Sequence, residues 1–147
     1  MKNTQVKLLS RPIGVPKEAN FSVETTALPA LTQGEVLVKN LYLSIDPAMR
    51  SWMTEGKSYI NPVPVGGVMR ALGTGVVVDS RNPDYKPGDY VYASLGVQEY
   101  ALVTEDYLTD PTYGRRPYHV DPVAAPLPTY LGPLGLPGMT AYFGLLR

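Results

Sequence analysis

The groups able to do chemistry in this chain are few. It holds no cysteine and a single histidine, His119, so thiolate metal sites, a cysteine nucleophile and a multi-histidine zinc site are excluded. Chemistry must come from oxygen groups or a bound cofactor. Gly73-Thr74-Gly75 invites a dinucleotide reading, since a glycine-rich turn after a strand brings backbone amides onto a pyrophosphate. The pattern departs from that fingerprint: a third glycine three positions on is missing, and Val76-Val77-Val78 continues as strand instead of opening a helix. These glycines predict a bulge or a close backbone approach inside a sheet. Gly132, Gly135 and Gly138 recur at every third residue, but Pro133 and Pro137 between them break any phosphate-loop pattern. His119, Asp121 and a serine make a triad on paper, yet no serine stands in a Gly-x-Ser-x-Gly elbow. His119 reads as a surface or half-buried histidine in a proline-rich loop. Asp89 and Glu99 suggest a carboxylate pair, but Asp89 within Pro87-Gly88-Asp89 is better read as a turn side chain bonding nearby amides. Spacing alone identifies no catalytic centre.

The elements that must position these groups are mostly strands. Glycine and proline, 14 and 15 residues, make up about a fifth of the 147, and the hydrophobic content of 44% calls for a real core. Each proline removes a backbone donor and biases its predecessor away from helical angles, so few gaps are long enough for a helix. Charge is balanced, 13 Lys+Arg against 13 Asp+Glu, which points to no polyanionic partner and argues against nucleic-acid binding. The N-terminus lacks the apolar core of a secretory signal, and no apolar run approaches the ~18 residues of a membrane span. The expectation is a cytoplasmic protein without membrane contact.

Alternation predicts strands at residues 5 to 9, 21 to 25 and 35 to 44, the last covered on both faces, with Val36, Val38 and Tyr42 on one side and Leu37, Leu41 and Leu43 on the other. Asp46-Pro47 then predicts a short helical turn near residues 47 to 53, capped by Asp46 with Pro47 in its first position. Strands follow at 73 to 78, 90 to 93 and 97 to 103, with a tight turn at Tyr85-Lys86-Pro87-Gly88-Asp89. The proline-rich stretch from Asp110 to Pro128 reads as a surface connection. From Pro137, Met139, Tyr142, Phe143 and Leu146 fall on one stripe of a helix. The chain stops inside that stripe, which predicts a following domain.

Three blocks carry a resemblance to a known family: Leu41-Tyr42-Leu43-Ser44-Ile45-Asp46-Pro47-Ala48-Met49-Arg50; Lys86-Pro87-Gly88-Asp89-Tyr90-Val91 followed by Gly96-Val97-Gln98-Glu99-Tyr100; and the run from Tyr130 to Tyr142. Together they resemble the zinc-independent branch of the medium-chain dehydrogenase/reductase superfamily, comprising leukotriene B4 dehydrogenase / prostaglandin reductase, alkenal double-bond reductases and curcumin reductase. The resemblance implies that residues 1 to 147 form one mainly β, GroES-like, partly open barrel with a short helical turn and a C-terminal helix, the catalytic domain that precedes a Rossmann domain absent from this chain.

The implied reaction is reduction of a C=C bond conjugated to a carbonyl in α,β-unsaturated aldehydes and ketones, with hydride from NADPH, or NADH, and no metal. By resemblance, Pro47, Leu136 and Thr140 face the nicotinamide, Thr140 at the helix start where backbone amides are free. Ala48 and Met49 line the substrate cleft, and Tyr59 is a candidate proton donor to the substrate. Relatives often have Tyr at the position of Ala48 and Trp at that of Val97, so the cleft is expected to be wider here. The resemblance implies a homodimer at full length and an inactive isolated domain. Quinone reduction within the same superfamily, or a non-catalytic β module binding a ligand or partner, are the alternatives.

Overall fold

Strands dominate, as the spread of prolines predicts. The computed structural model describes residues 1–56, 59–104 and 116–146. In chain order these form β1 (Lys2–Leu8), a 3-10 turn (Glu18–Asn20), β2 (Phe21–Ala27), β3 (Val36–Leu43), α1 (Ala48–Trp52), β4 (Gly73–Ser80), β5 (Tyr90–Ala93), β6 (Tyr100–Val103), β7 (Tyr118–His119), a second 3-10 turn (Leu127–Leu131) and α2 (Leu136–Leu145). The strand predicted for residues 90 to 93 coincides with β5, and α1 lies within the predicted turn. The strand expected from residue 97 begins only at Tyr100, because Val97–Glu99 bond to β1 instead: Val6 N–H donates to Val97 O at 2.9 Å and Glu99 N–H to Thr4 O at 3.0 Å.

Two sheets result. β1 and β2 pair antiparallel, Val6 opposite Val23 and Leu8 opposite Phe21, while the second sheet runs in the order β6-β3-β4-β5-β7. The sheets meet at a polar seam. Asn3, 3% exposed, donates to Tyr100 O at 2.9 Å and accepts from Tyr100 N–H at 2.9 Å, so one side chain substitutes for a missing rung of the ladder.

Cover on β3 is narrower than the alternation predicts. Val36, Leu37 and Val38 are buried, but Leu41 and Tyr42 are exposed. The cause is register: β6 pairs with Val36–Lys39 and the last bond on that side runs from Asn40 N–H to Glu99 O, so Leu41–Leu43 have a strand neighbour on one side only. The main core gathers Val36, Val38, Val77, Val91, Ala93, Leu95, Ala101 and Val103 between the strands. A second cluster joins Leu8, Trp52, Met53, Val63 and Met69, anchoring α1.

The glycine-rich strand start is a close approach, as expected. A Cβ on Gly75 would lie 2.5 Å from Lys39 O and 2.6 Å from Val38 Cγ1. The loop expected between Asp110 and Pro128 falls partly at 105–115, outside the described residues; its described part contains β7 and the start of the second 3-10 turn, so it is more than a connection. β7 forms because Tyr118–His119 finds the open edge of β5, Val91 opposite His119 and Tyr92 opposite Tyr118.

Helix α2 differs from the predicted single stripe. Its sequence, Leu-Pro-Gly-Met-Thr-Ala-Tyr-Phe-Gly-Leu, is apolar on every side and none of its residues is buried. The predicted positions Met139, Tyr142, Phe143 and Leu146 are each more than half exposed, and Leu145 more so. No described helix is long and apolar enough to cross a membrane.

Candidate functional site

The pairing of the main sheet sets one row of side chains across four strands. Tyr42, Thr74, Tyr92 and Tyr118 stand opposite one another on β3, β4, β5 and β7. Side chains of one row share a face, and two of this row, Tyr92 and Tyr118, form an aromatic floor. The Tyr92 and Tyr118 rings lie 6.2 Å apart, inclined by 34°.

The start of α2 forms the opposite wall. Gly135 and Gly138 let the chain fold tightly there, because a Cβ on Gly135 would strike Tyr130 O and one on Gly138 would strike Pro133 O. This explains Gly135 and Gly138, whereas a Cβ on Gly132 would meet nothing within 4 Å. Between floor and wall lies a pocket of about 630 Å³, to which Tyr92, Tyr118, His119, Tyr130, Leu136 and Met139 contribute. That size suits a small organic ligand or one ring of a larger one.

The helix start leaves one donor open toward such a ligand. Pro137 has no N–H, Gly138 N–H donates to Gly132 O at 3.1 Å and Met139 N–H to Gly135 O at 3.0 Å, whereas Leu136 N–H has no partner among the described residues. An N-terminal N–H is not served by its own helix and so is available to an external acceptor.

Beside α1 lies a smaller groove of about 350 Å³ that includes Val6, Phe21, Asp46, Pro47, Met49 and Val97. Asp46 does not cap α1 through its side chain; Pro47 precedes the helix, and the Asp46 carbonyl accepts from Met49 N–H at 3.0 Å. Its carboxylate Oδ2 is buried without a hydrogen-bond partner. Arg50 is committed elsewhere, donating to Gly14 O at 3.0 Å, Pro12 O at 3.2 Å and Thr54 Oγ1 at 2.7 Å.

The six residues named from the sequence are therefore spread out. Leu136 faces the tyrosine-floored pocket, and Pro47 and Met49 the smaller groove. Ala48 packs against the second core cluster. Thr140 stands at the fifth position of α2, not at its start, and its hydroxyl donates to Leu136 O at 2.8 Å. Tyr59 is largely exposed, and its hydroxyl accepts from the Trp52 indole at 3.0 Å.

Other groups settle into structural roles. Asp89 accepts from Lys86 N–H at 2.7 Å, the turn contact expected of it. Glu99 accepts from Thr4 N–H at 2.9 Å, and that backbone bond, followed by the side-chain contact with Thr4, holds its carboxyl below the ordinary value. The two carboxylates serve separate contacts. His119 stacks on Tyr85 with centroids 5.2 Å apart. Among the described residues no three His, Cys, Asp or Glu side chains gather as metal ligands.

The sequence reading missed the tyrosine row. Its one local signal is the alternation Tyr90-Val91-Tyr92-Ala93, which identifies a strand but not what the outward side chains face. It also missed Arg70, whose guanidinium lies 5.4 Å from the Trp52 ring and donates to Asn61 O at 3.0 Å.

Residues 4–110 match a family described as the N-terminal domain of oxidoreductase. The chain belongs to this oxidoreductase family. It is 40% identical over 146 residues to the NADPH-dependent curcumin reductase of Escherichia coli (strain K12), covering 99% of this chain and 39% of that protein. It is 37% identical over 149 residues to the NADP(+)-dependent 2-alkenal reductase of Nicotiana tabacum, covering 98% of this chain and 41% of that protein. The crystal structure of CurA in complex with NADPH from Vibrio vulnificus superposes with a TM-score of 0.83 at 34% identity, over 97% of this chain and 40% of that one. The likeness agrees with a mainly β, GroES-like domain whose sheets do not close. The chain spans about two fifths of the length of these relatives.

Proposed function

We propose that this chain is the substrate-side domain of an NADPH-dependent reductase that saturates the C=C bond of α,β-unsaturated aldehydes and ketones. The observation that supports it most is the likeness over nearly the whole chain to reductases named for NADPH, curcumin and 2-alkenals. In this reading a Rossmann domain follows the chain, packs against the exposed faces of α2 and brings the adenosine end of the cofactor.

The residues present fit the nicotinamide end. The open Leu136 N–H offers a donor for a carboxamide oxygen, and Leu136 and Met139 offer apolar cover to a ring. Leu136 would hold the carboxamide, with Thr140 one turn behind it and Pro47 limiting the approach from α1. Ala48, Met49 and Tyr59 belong to the substrate side. When bound, reduced nicotinamide supplies a hydride, and the task of the protein is to align the β-carbon and exclude wrong geometries. With no cysteine and one histidine, the reaction in this reading proceeds without zinc.

NADPH consumption by the complete protein, followed at 2-alkenals, aryl enones and quinones in parallel and with and without a chelator, tests the reading. Saturated aldehyde or ketone as product, unaffected by the chelator, is the expected result. Consumption with quinones alone, or with none of these acceptors, contradicts it.

A further inference from the structure

The tyrosines at the 630 Å³ pocket are not equivalent. The Tyr130 hydroxyl donates to Asp121 O at 2.8 Å, and Tyr118 is 46% exposed. Tyr92 is half-buried at the pocket, and its hydroxyl has no hydrogen-bond partner among the described residues. Its backbone is fixed by the pairing of β5 with β4 on one side and β7 on the other. A hydroxyl on a strand fixed from both sides, at the pocket and without a partner among the described residues, is placed to serve a ligand.

We propose that Tyr92 is a catalytic residue whose hydroxyl donates a hydrogen bond to the carbonyl oxygen of the unsaturated substrate and stabilises the charge that gathers there. This rests on the reductase reading above. In the step concerned, a hydride from NADPH forms a C–H bond at the β-carbon, and the π electrons of the C=C bond move toward the carbonyl oxygen. The enolate oxygen is held by the Tyr92 O–H. The α-carbon then takes a proton from water and the C=O bond is restored, so that one hydride and one proton have added across C=C and NADPH has been oxidised.

The surroundings suit a neutral donor. Burial, and next the nearby Asp46 carboxylate and Tyr118, push the Tyr92 hydroxyl above its ordinary value of 10.0. The proton is therefore retained throughout the neutral range. An uncharged donor that is already oriented needs no rearrangement as the oxyanion forms, and removing one such donor typically lowers turnover by about 10²–10³-fold.

Two readouts on the complete protein decide the matter. Tyr92→Phe removes only the hydroxyl, and kcat for a 2-alkenal and for a cyclic enone should fall by about 10²-fold while KM changes by less than about 3-fold. Independently, the infrared C=O band of the 13C-labelled saturated product ketone, bound to the wild-type protein, should lie below its position in apolar solvent and return toward it in Tyr92→Phe. An unshifted band in the wild type overturns the proposal whether or not the variant folds. So does a Tyr92→Phe protein with kcat within about 2-fold of wild type. In either case a wild-type protein that still reduces enones leaves the reductase reading intact, whereas one that reduces none removes that reading and the proposal with it.

Discussion

Replacing Asn3 by Ala tests how the two sheets are joined. Asn3 lies at 3% exposure and makes three hydrogen bonds across the seam: Nδ2 to Tyr100 O at 2.9 Å, Nδ2 to Gln98 Oε1 at 3.2 Å, and Oδ1 from Tyr100 N–H at 2.9 Å. Each is worth about 0.5–1.5 kcal/mol net, and a backbone group left without a partner and away from water adds a further penalty. Gln98 keeps a second donor in Gln5 Nε2 at 2.7 Å, so its share of the loss is small. The two contacts to the Tyr100 backbone dominate, and Tyr100 is only partly buried, so water relieves part of the penalty. The sum is about 2–4 kcal/mol. With a urea slope of about 2 kcal/mol/M, the unfolding midpoint should fall by about 1–2 M with the slope unchanged. A loss below about 0.5 kcal/mol, the range of an ordinary surface substitution, would refute the idea that this side chain fastens the sheets.

Gly75→Ala should cost about 1–3 kcal/mol in the same assay, because its Cβ would press on the Lys39 carbonyl and the Val38 side chain, which β3 holds in place. Ala48→Tyr should destabilise by a similar ~1–3 kcal/mol, since Ala48 packs against the cluster around Trp52 and Met53; a variant as stable as wild type would show that this cluster leaves room for a larger ring. Glu99 has a folded value below its ordinary 4.5, so its contribution is present above pH 4.5 and is lost as pH falls through the lowered value. Glu99→Gln should therefore flatten the acid limb of a stability-against-pH profile below 4.5 and leave its neutral part parallel to wild type.

How far the sequence carries depends on the range of the interaction concerned. The turn at Lys86–Asp89, strand β5 and the close approach at Gly75 were legible because residue type signals geometry there: proline and glycine set the turn, and two glycines at the start of an apolar strand mark where a Cβ would crowd the neighbouring strand. The seam was not legible. Asn3 meets Tyr100 from 97 positions away, and nothing near Asn3 in the chain announces that its amide replaces a strand rung. Strand β7 was hidden for a related reason, since a two-residue strand in proline-rich sequence exists only because the edge of β5 is open. Helix α2 was found from its apolar residues, but periodicity records which residues are apolar and not what lies over them. Of the candidate site, the resemblance led to Pro47, Met49 and Leu136, each at a pocket or groove, while Tyr92 needed the register of β4, β5 and β7 to bring the tyrosines into one row.

In the proposed reaction, hydride from NADPH reaches the β-carbon of an enone in contact with this domain. The most direct measurement uses NADPH carrying deuterium at the transferable nicotinamide position, an enone as acceptor and the complete protein, with the product read by NMR. One deuterium at the β-carbon, on a single face, and hydrogen from solvent at the α-carbon is the predicted result. Deuterium on the carbonyl carbon, giving an allylic alcohol with the C=C bond intact, or no transfer from NADPH to any enone, would contradict it.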